Sequence, residues 1–404
     1  MKKLILILTA LCAAILLLES CKPTVLDLNK YADKIEAQLK GKPYGYAFVI
    51  TKLGQPRVQR AWGEARRKAD PPEMPMSVNV KYTTASVSKN ITAAAFLKLL
   101  DDTNIKNKNL TLDEKLNEKM VDYLPYYWKP GAGVNSITFR EMLKHRTGIH
   151  CDPDFVDYRN LRKCLAKGID TADKDRTCPT ADGPGQPIGT NDNGCYKNAN
   201  YALFRIVIPV MMGKVVKPVL STFTEEQKDA ETEILTSNVY INYVNDNVYA
   251  KAGLPKIFCK PTDGKQQGLA YKHAAPDAKG GDFGDATFEC GSQGWFLSAA
   301  QLATYFETLN TTDKIVLPAI SSRMRTEYLG YDGGGGFDTP DGKITYWSKP
   351  GGHPAAQNTG EINTLLMHFS NGVEVSVVIN SDFKPPVDWG GVIINSLSDL
   401  LNGK

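Results

Sequence analysis

Metal-binding spacings are missing from this 404-residue chain: it holds 5 histidines and 8 cysteines, yet no His-x-x-x-His and no Cys-x-x-Cys occurs. The familiar zinc patterns are therefore not the reading. An excess of one charge is also lacking, since the formal balance is only +4, and nothing in it asks for a nucleic-acid partner. There is no polar low-complexity tract and no repeat of fixed period, which excludes a disordered chain and a solenoid. What is present is 42% hydrophobic residues over a long chain, enough to bury a sizeable core in one large domain or two moderate ones.

The first 21 residues, MKKLILILTALCAAILLLESC, join two lysines to a long apolar run and read as a cleaved secretory leader, residues 1–20. Leu18-Glu19-Ser20-Cys21 resembles a bacterial lipobox, with Glu19 an unusual second residue, so Cys21 is expected to carry lipid. An exported, periplasmic or cell-surface protein anchored to membrane through lipid is the expectation. Export makes the other cysteines interpretable. Setting aside Cys12 and Cys21, those left are Cys151, Cys164, Cys178, Cys195, Cys259 and Cys290. Neighbour pairing (151–164, 178–195, 259–290) is expected, because the first four crowd into a Gly/Asp/Pro-rich segment, 151–195, that lacks apolar periodicity and needs staples.

Residues 25–404 read as one α+β domain. LDLNKYADKIEAQLKGK has helical apolar spacing and stops at Gly41; YGYAFVITK and RVQRAWGEA read as strands joined by LGQP. NITAAAFLKLLDD is apolar nearly all round, the mark of a buried helix. Thr138 with Glu141, and Ser298 with Gln301, form capping boxes, and Gly148 is a candidate stop for the first of those helices. KITYWSK, INTLLMHFS and VEVSVVINS return to strands, the last two turning at Asn371-Gly372, and VDWGGVIINSLSDLL closes as an amphipathic helix. YDGGGGFDTPDG reads as a hairpin loop. The pattern predicts an antiparallel sheet from 25–90 and 290–404, covered by the terminal helices, with a mostly helical region, 91–289, inserted.

Chemistry is suggested first by TTASVSKN, which sets Ser86 three residues before Lys89 at a helix start. Positions i and i+3 share a helix face, so the ammonium can reach the hydroxyl. A serine needs a neighbour to take its proton, and a lysine does this once burial or nearby positive charge lowers its affinity for protons. A polar helix start is the plain alternative. A second Ser-x-x-Lys, Ser381 to Lys384, reads as a surface turn and shows how weak the spacing is alone.

YTTASVSKNITAAAFLKLL followed by Leu143-Lys144-His145-Arg146-Thr147-Gly148 resembles the serine β-lactamase and penicillin-binding-protein family, in particular the branch with class C β-lactamases, D-alanyl-D-alanine carboxypeptidases and related esterases. The resemblance runs in order along most of residues 40–400. It implies a β-lactamase/transpeptidase-like fold and a serine hydrolase working through an acyl-enzyme, with no cofactor. It also implies a Tyr-x-Asn element, a pattern found at Tyr158, Tyr196, Tyr240 and Tyr243. Only CYKNANYALF fits the family setting, which selects Tyr196 as general base or its partner and Asn198 as the group orienting Lys89 and a substrate amide.

The third family element, Lys-Thr-Gly, matches Lys349-Pro350-Gly351, followed by Gly352. Cation and glycine are kept, but proline replaces the hydroxyl residue that helps bind a substrate carboxylate in the family. Pro350 suits a strand edge without a partner, which leaves the Gly352 N–H free to join Ser86 N–H as an oxyanion hole. A KPGG turn is the alternative. Among the histidines, His353 beside that glycine is the candidate for substrate contact. The implied partner is a small-molecule or peptidoglycan-derived substrate: a D-amino acid peptide, a β-lactam or an ester. A different class, a binding lipoprotein that kept the fold and lost turnover, fits the same residues.

Overall fold

A computed structural model describes residues 26–102, 109–149, 151, 156–169, 196–215, 222–262, 267–274, 276, 279–355 and 359–404. The leader with Cys21, and most of the Cys-rich insert with Cys178 and Cys195, lie outside the described residues. The chain opens with helix α1 (Leu28–Leu39), strands β1 (Gly45–Lys52), β2 (Val58–Arg66), β3 (Met74–Pro75) and β4 (Lys81–Thr83), then helix α2 (Ser88–Asp101). The middle holds α3 (Leu112–Leu116), α4 (Phe139–Leu143), α5 (Tyr158–Lys167), α6 (Asn198–Ala202), α7 (Phe204–Met211) and α8 (Glu225–Val244). Strand β5 (Phe296–Ser298) and helices α9 (Ala299–Thr311) and α10 (Pro318–Thr326) lead to β6 (Gly333–Thr339), β7 (Gly342–Pro354), β8 (Glu361–Phe369), β9 (Val373–Ile379) and α11 (Trp389–Leu401).

Period-2 alternation explains the sheet. Tyr46, Phe48 and Ile50 of β1 go to one face with Val375, Val377 and Ile379 of β9, while Ala47, Val49 and Val378 go to the other. Both faces are buried, as the apolar runs require. The seven-stranded antiparallel sheet has the order β3-β2-β1-β9-β8-β7-β6, so the first long strand pairs with the last. Helix α1 covers the outer face through Leu28, Tyr31, Ala32, Ile35 and Leu39, a stripe at helical spacing, and α11 packs beside it. Asp27 caps α1 by accepting from Asn29 N–H and Lys30 N–H, and Gly41 at φ 80° takes the left-handed turn after it. On the inner face α9 packs against β1 and β9, and α2 lies deeper in the same core, its residues Ser88 to Leu97 all buried. A helix enclosed on every side has no solvent face to keep polar, and truncating a residue such as Phe96 there costs roughly 3–5 kcal/mol.

The expected architecture is present, with three local corrections. GGGGFDT is strand rather than loop: β6 pairs with β7 from Gly333↔Ser348 to Thr339↔Gly342, leaving only Pro340 and Asp341 between them. Glycine is used there because a Cβ at Gly333 would lie 2.6 Å from Ser348 Oγ, and one at Gly334 would lie 2.5 Å from Tyr328 Oη. KPGG is strand, as expected, and not the alternative turn: β7 continues through it to Pro354. Helix α4 stops at Leu143, short of Gly148, because His145 already turns left-handed at φ 53°. Ser381 is buried rather than a surface turn; its Oγ accepts from Tyr44 N–H (2.8 Å) and donates to Asp382 O (2.7 Å). The small sheet β4–β5, three residues a strand, was too short for periodicity to announce.

Candidate active site

Ser86 sits in a 3-10 turn, Ala85–Val87, immediately before α2. The turn is held from both sides. Thr84 N–H donates to Trp295 O (2.7 Å), and Thr364 Oγ1 of β8 donates to Thr84 O (2.8 Å). Ala85 is left-handed at φ 45°, a conformation that costs an alanine about 1–2 kcal/mol and persists because its neighbours fix it. Strand β7 lies hard against this turn. A Cβ on Gly351 would stand 2.4 Å from Thr364 Oγ1, 2.8 Å from Thr84 O and 3.0 Å from Ser86 N. Only glycine permits that approach.

One helical turn on, Lys89 is wholly buried. Its Nζ donates to Ser86 Oγ (3.0 Å), Asn198 Oδ1 (2.7 Å) and Ser292 O (2.9 Å). An ammonium has three donors, and each has an acceptor here. The spacing of Ser86 and Lys89 and the choice of Asn198 are thus met by geometry. The Ser292 carbonyl escaped sequence reasoning because any residue type supplies one. It follows Cys290, which is bridged to Cys259.

Tyr196 lies beside Asn198, with Lys89 Nζ 4.9 Å and Lys349 Nζ 5.1 Å from its ring centroid. Lys349 Nζ donates to Tyr196 Oη at 3.4 Å. The other three Tyr-x-Asn tyrosines go elsewhere: Tyr240 is buried against Thr92 Oγ1 (2.6 Å), and Tyr158 and Tyr243 pack in the inner core. Against Tyr196 stacks His145, centroids 4.3 Å apart and planes at 25°. His145 Nδ1 faces Asn200 Nδ2 (3.2 Å) and Lys197 N–H (3.4 Å). Both partners donate, so Nδ1 accepts and the proton belongs on Nε2. Burial, then Lys89 and Lys349, push this imidazole well below the ordinary histidine range and keep it neutral.

The Leu143–Gly148 motif acquires a physical meaning from these contacts. Thr147 Oγ1 donates to Asn200 Oδ1 (2.6 Å), and Tyr201 Oη donates to Leu143 O (2.7 Å). It is the clamp that holds the Tyr196–Asn198 segment. On sequence alone His145 carried no role of its own; the signal that could have found it was its place inside that motif. His353, the histidine favoured instead, stands at the far end of β7 with its Nδ1 donating to Pro354 O and its ring edge-on to Phe283 at 5.6 Å.

Lys349 is fully buried and ion-paired with Asp332, itself 5% exposed. Burial pushes the ammonium down and Asp332 pulls it back up, with the balance below the usual lysine value. Asp332, at the head of the glycine run, was also missed. Further along β7, Ala355 N–H donates to the directly opposed Gly360 O (2.8 Å). Opposed pairs alternate in an antiparallel ladder, so His353, Gly351 and Lys349 turn their backbone groups to β8, and Gly352 and Pro350 turn theirs to the opposite edge. On that edge Asp332 N–H donates to Ser348 O (3.1 Å), and β6 stops at Gly333. The edge beyond presents the Gly352 N–H, and at 350 no N–H at all.

Ser86, Lys89, Tyr196, Asn198, Lys349 and Gly351 therefore come together, with Gly352 on the adjoining edge. Cys151–Cys164 and Cys259–Cys290 are disulfides as expected, and Cys178 and Cys195 fall outside the described residues. Among the described residues no group of three His, Cys, Asp or Glu is placed to hold a metal ion.

Comparison with solved structures places this arrangement in a known fold. FmtA from Staphylococcus aureus superposes with a TM-score of 0.63 at 13% identity, over 93% of this chain and 88% of that one. A class C beta lactamase from Rhodobacter sphaeroides gives 0.60 at 15% identity, over 93% and 99%. A D-amino acid amidase from Ochrobactrum anthropi SV3 gives 0.59 at 13% identity, over 92% and 97%. No curated protein matches in sequence. The family model for beta-lactamase matches residues 32–389, and with most of the chain so covered, this protein belongs to the beta-lactamase family of serine hydrolases.

Proposed function

We propose that the protein is a serine hydrolase that acts on an amide or ester through an acyl-enzyme on Ser86. The observation that carries this reading is Lys89 Nζ, fixed 3.0 Å from Ser86 Oγ by Asn198 Oδ1 and Ser292 O. In this mechanism the Lys89–Tyr196 pair enters the reaction one proton short of the ammonium–phenol state, and as Ser86 Oγ attacks the substrate carbonyl that coupled pair takes up the hydroxyl proton. The tetrahedral oxyanion is met by the N–H groups of Ser86 and Gly352, a contribution of about 3 kcal/mol for each donor. The same pair returns the proton to the leaving group as its bond to carbon breaks. Water then attacks the acyl-enzyme and frees Ser86. Lys349 and His145 hold the Tyr196 ring in place. With the apolar leader and Cys21, the reading extends to a lipid-anchored enzyme outside the cytoplasm, whose substrates include cell-wall D-amino acid peptides, β-lactams and esters.

The test is covalent labelling with a fluorescent fluorophosphonate and, separately, a fluorescent penicillin. Labelling of the native protein by at least one probe, lost in folded Ser86→Ala, is expected. Absence of labelling by both probes in folded native protein would sink the acyl-enzyme.

A further inference from the structure

Lys89 and Lys349 are the cations that the fold brings to Ser86 and Tyr196, and the surroundings of both bear on which substrates can dock. Lys89 has its three donors committed to Ser86 Oγ, Asn198 Oδ1 and Ser292 O. Lys349 is fully buried, and Asp332, 5% exposed, matches its charge in direct contact. In so enclosed a place an incoming anion would meet a neutral pair rather than a cation, and would have to displace a carboxylate that is already bonded. The adjoining edge of β7 adds no substitute. Pro350 brings neither N–H nor hydroxyl, and Thr364 Oγ1, the hydroxyl packed against Gly351, is buried and donates to Thr84 O (2.8 Å). What the edge does offer is the Gly352 N–H, a donor suited to a neutral carbonyl oxygen or to the oxyanion formed from it.

Resting on the acyl-enzyme reading above, we propose that the site selects acyl donors with no carboxylate next to the scissile bond, and that Asp332 and Pro350 set this preference. Asp332 acts by cancelling the charge of Lys349. Pro350 acts by removing the polar group that would otherwise flank it. The substrate class is thus a neutral ester, thioester or amide, such as an esterified or amidated peptide end, rather than one ending in a free carboxylate. The cost of putting an anion where no partner is available is what separates the two classes.

A matched pair of substrates tests this: the thioester formed by N-benzoylglycine with thioglycolic acid, and the methyl ester of the same compound. They differ by one carboxylate in the leaving group, and cleavage of either is followed through the thiol released. The expected result is a kcat/KM at least roughly tenfold higher for the methyl ester, the scale of one charged hydrogen bond. Asp332→Asn and Pro350→Thr, made separately and checked for native circular dichroism, should each move the ratio toward the acid. Two variants in different segments, one just before β6 and one within β7, keep the test alive if one fails to fold. Equal or better cleavage of the acid by native protein overturns the proposal, as does a ratio unmoved in both variants. Cleavage of neither compound by protein that fluorophosphonate labels at Ser86 also overturns it while leaving the nucleophile standing. Loss of that labelling would instead remove the acyl-enzyme reading on which the proposal rests.

Discussion

Tyr196 is fixed by side chains that arrive from three separate parts of the chain. Lys89 and Lys349 approach its ring and His145 stacks on it, and the histidine is itself set by Asn200 and Lys197. His145→Phe keeps an aromatic surface but loses the Nδ1 acceptor, and His145→Ala loses both. We expect kcat to fall in the order native, Phe, Ala with KM little changed, by about tenfold for Ala, since misplacing a catalytic group by a fraction of an ångström has that scale of effect. The same residue gives a pH signature. Its folded proton affinity is lowered by burial, so the unfolded chain binds the proton more readily. Stability is therefore unaffected above the unfolded value of about 6.5 and falls as pH drops below it. His368, held down to about 3 by burial, acts with the same sign, while Glu374 beside it and Glu233, both pushed up by burial, act with the opposite sign. The prediction is therefore the difference between two proteins: in thermal melts between pH 7 and pH 5, native protein should lose more stability on acidification than folded His145→Phe. Of these residues, Ser86, Lys89, Tyr196, Asn198 and Lys349 were legible because each stands in a short ordered box. Asp332 and the Ser292 carbonyl were not, because their role depends on long-range packing that leaves no local pattern.

At the level of elements, the site depends on how closely β7 approaches the turn before α2. Gly351 is the contact point, and the atoms in its way include backbone, which cannot swing aside as a flexible side chain would. Gly351→Ala should therefore separate strand and turn, costing about 1–3 kcal/mol in a chemical denaturation curve and most of the fluorophosphonate labelling rate at Ser86. Retention of both within error would show that the strand has room. Elements with a clean period were readable in advance. α1, β1, β2, β8, β9 and α11 declare themselves by apolar spacing, and both expected capping boxes, at Thr138 and Ser298, are made. β6 was unreadable for a physical reason: four successive glycines carry no alternation, since the space beside Gly333, Gly334 and Gly335 is filled by Ser348, Tyr328 and Tyr346, and that beside Gly336 by Ile344 O and Lys343. The disulfide Cys259–Cys290 was readable only as a pairing. Its place beside the segment that supplies Ser292 O to Lys89 emerged from the fold.

For the whole molecule, the pairing of β1 with β9 means that the sheet cannot be completed until the last hundred residues are present. The helical region sits between, inserted into the sheet rather than appended to it, and its contribution to the site is α2, the Tyr196 segment and the 290s. The outer face, closed by α1 and α11, is turned away from Ser86. There the two terminal helices meet, with Lys34 Nζ donating to the main-chain oxygen of Lys404 at 2.7 Å. A circular permutant exploits this: a short Gly/Ser linker joins Lys404 to residue 26, and new ends open in the exposed β1–β2 turn at Gly54, where φ is 81° and a Cβ would meet nothing. Such a rewired protein should fold and keep Ser86 labelling near the native rate. By the same token, a tether fixed to α1 lies on the face opposite Ser86, so the protein can be immobilised by either end without covering that residue.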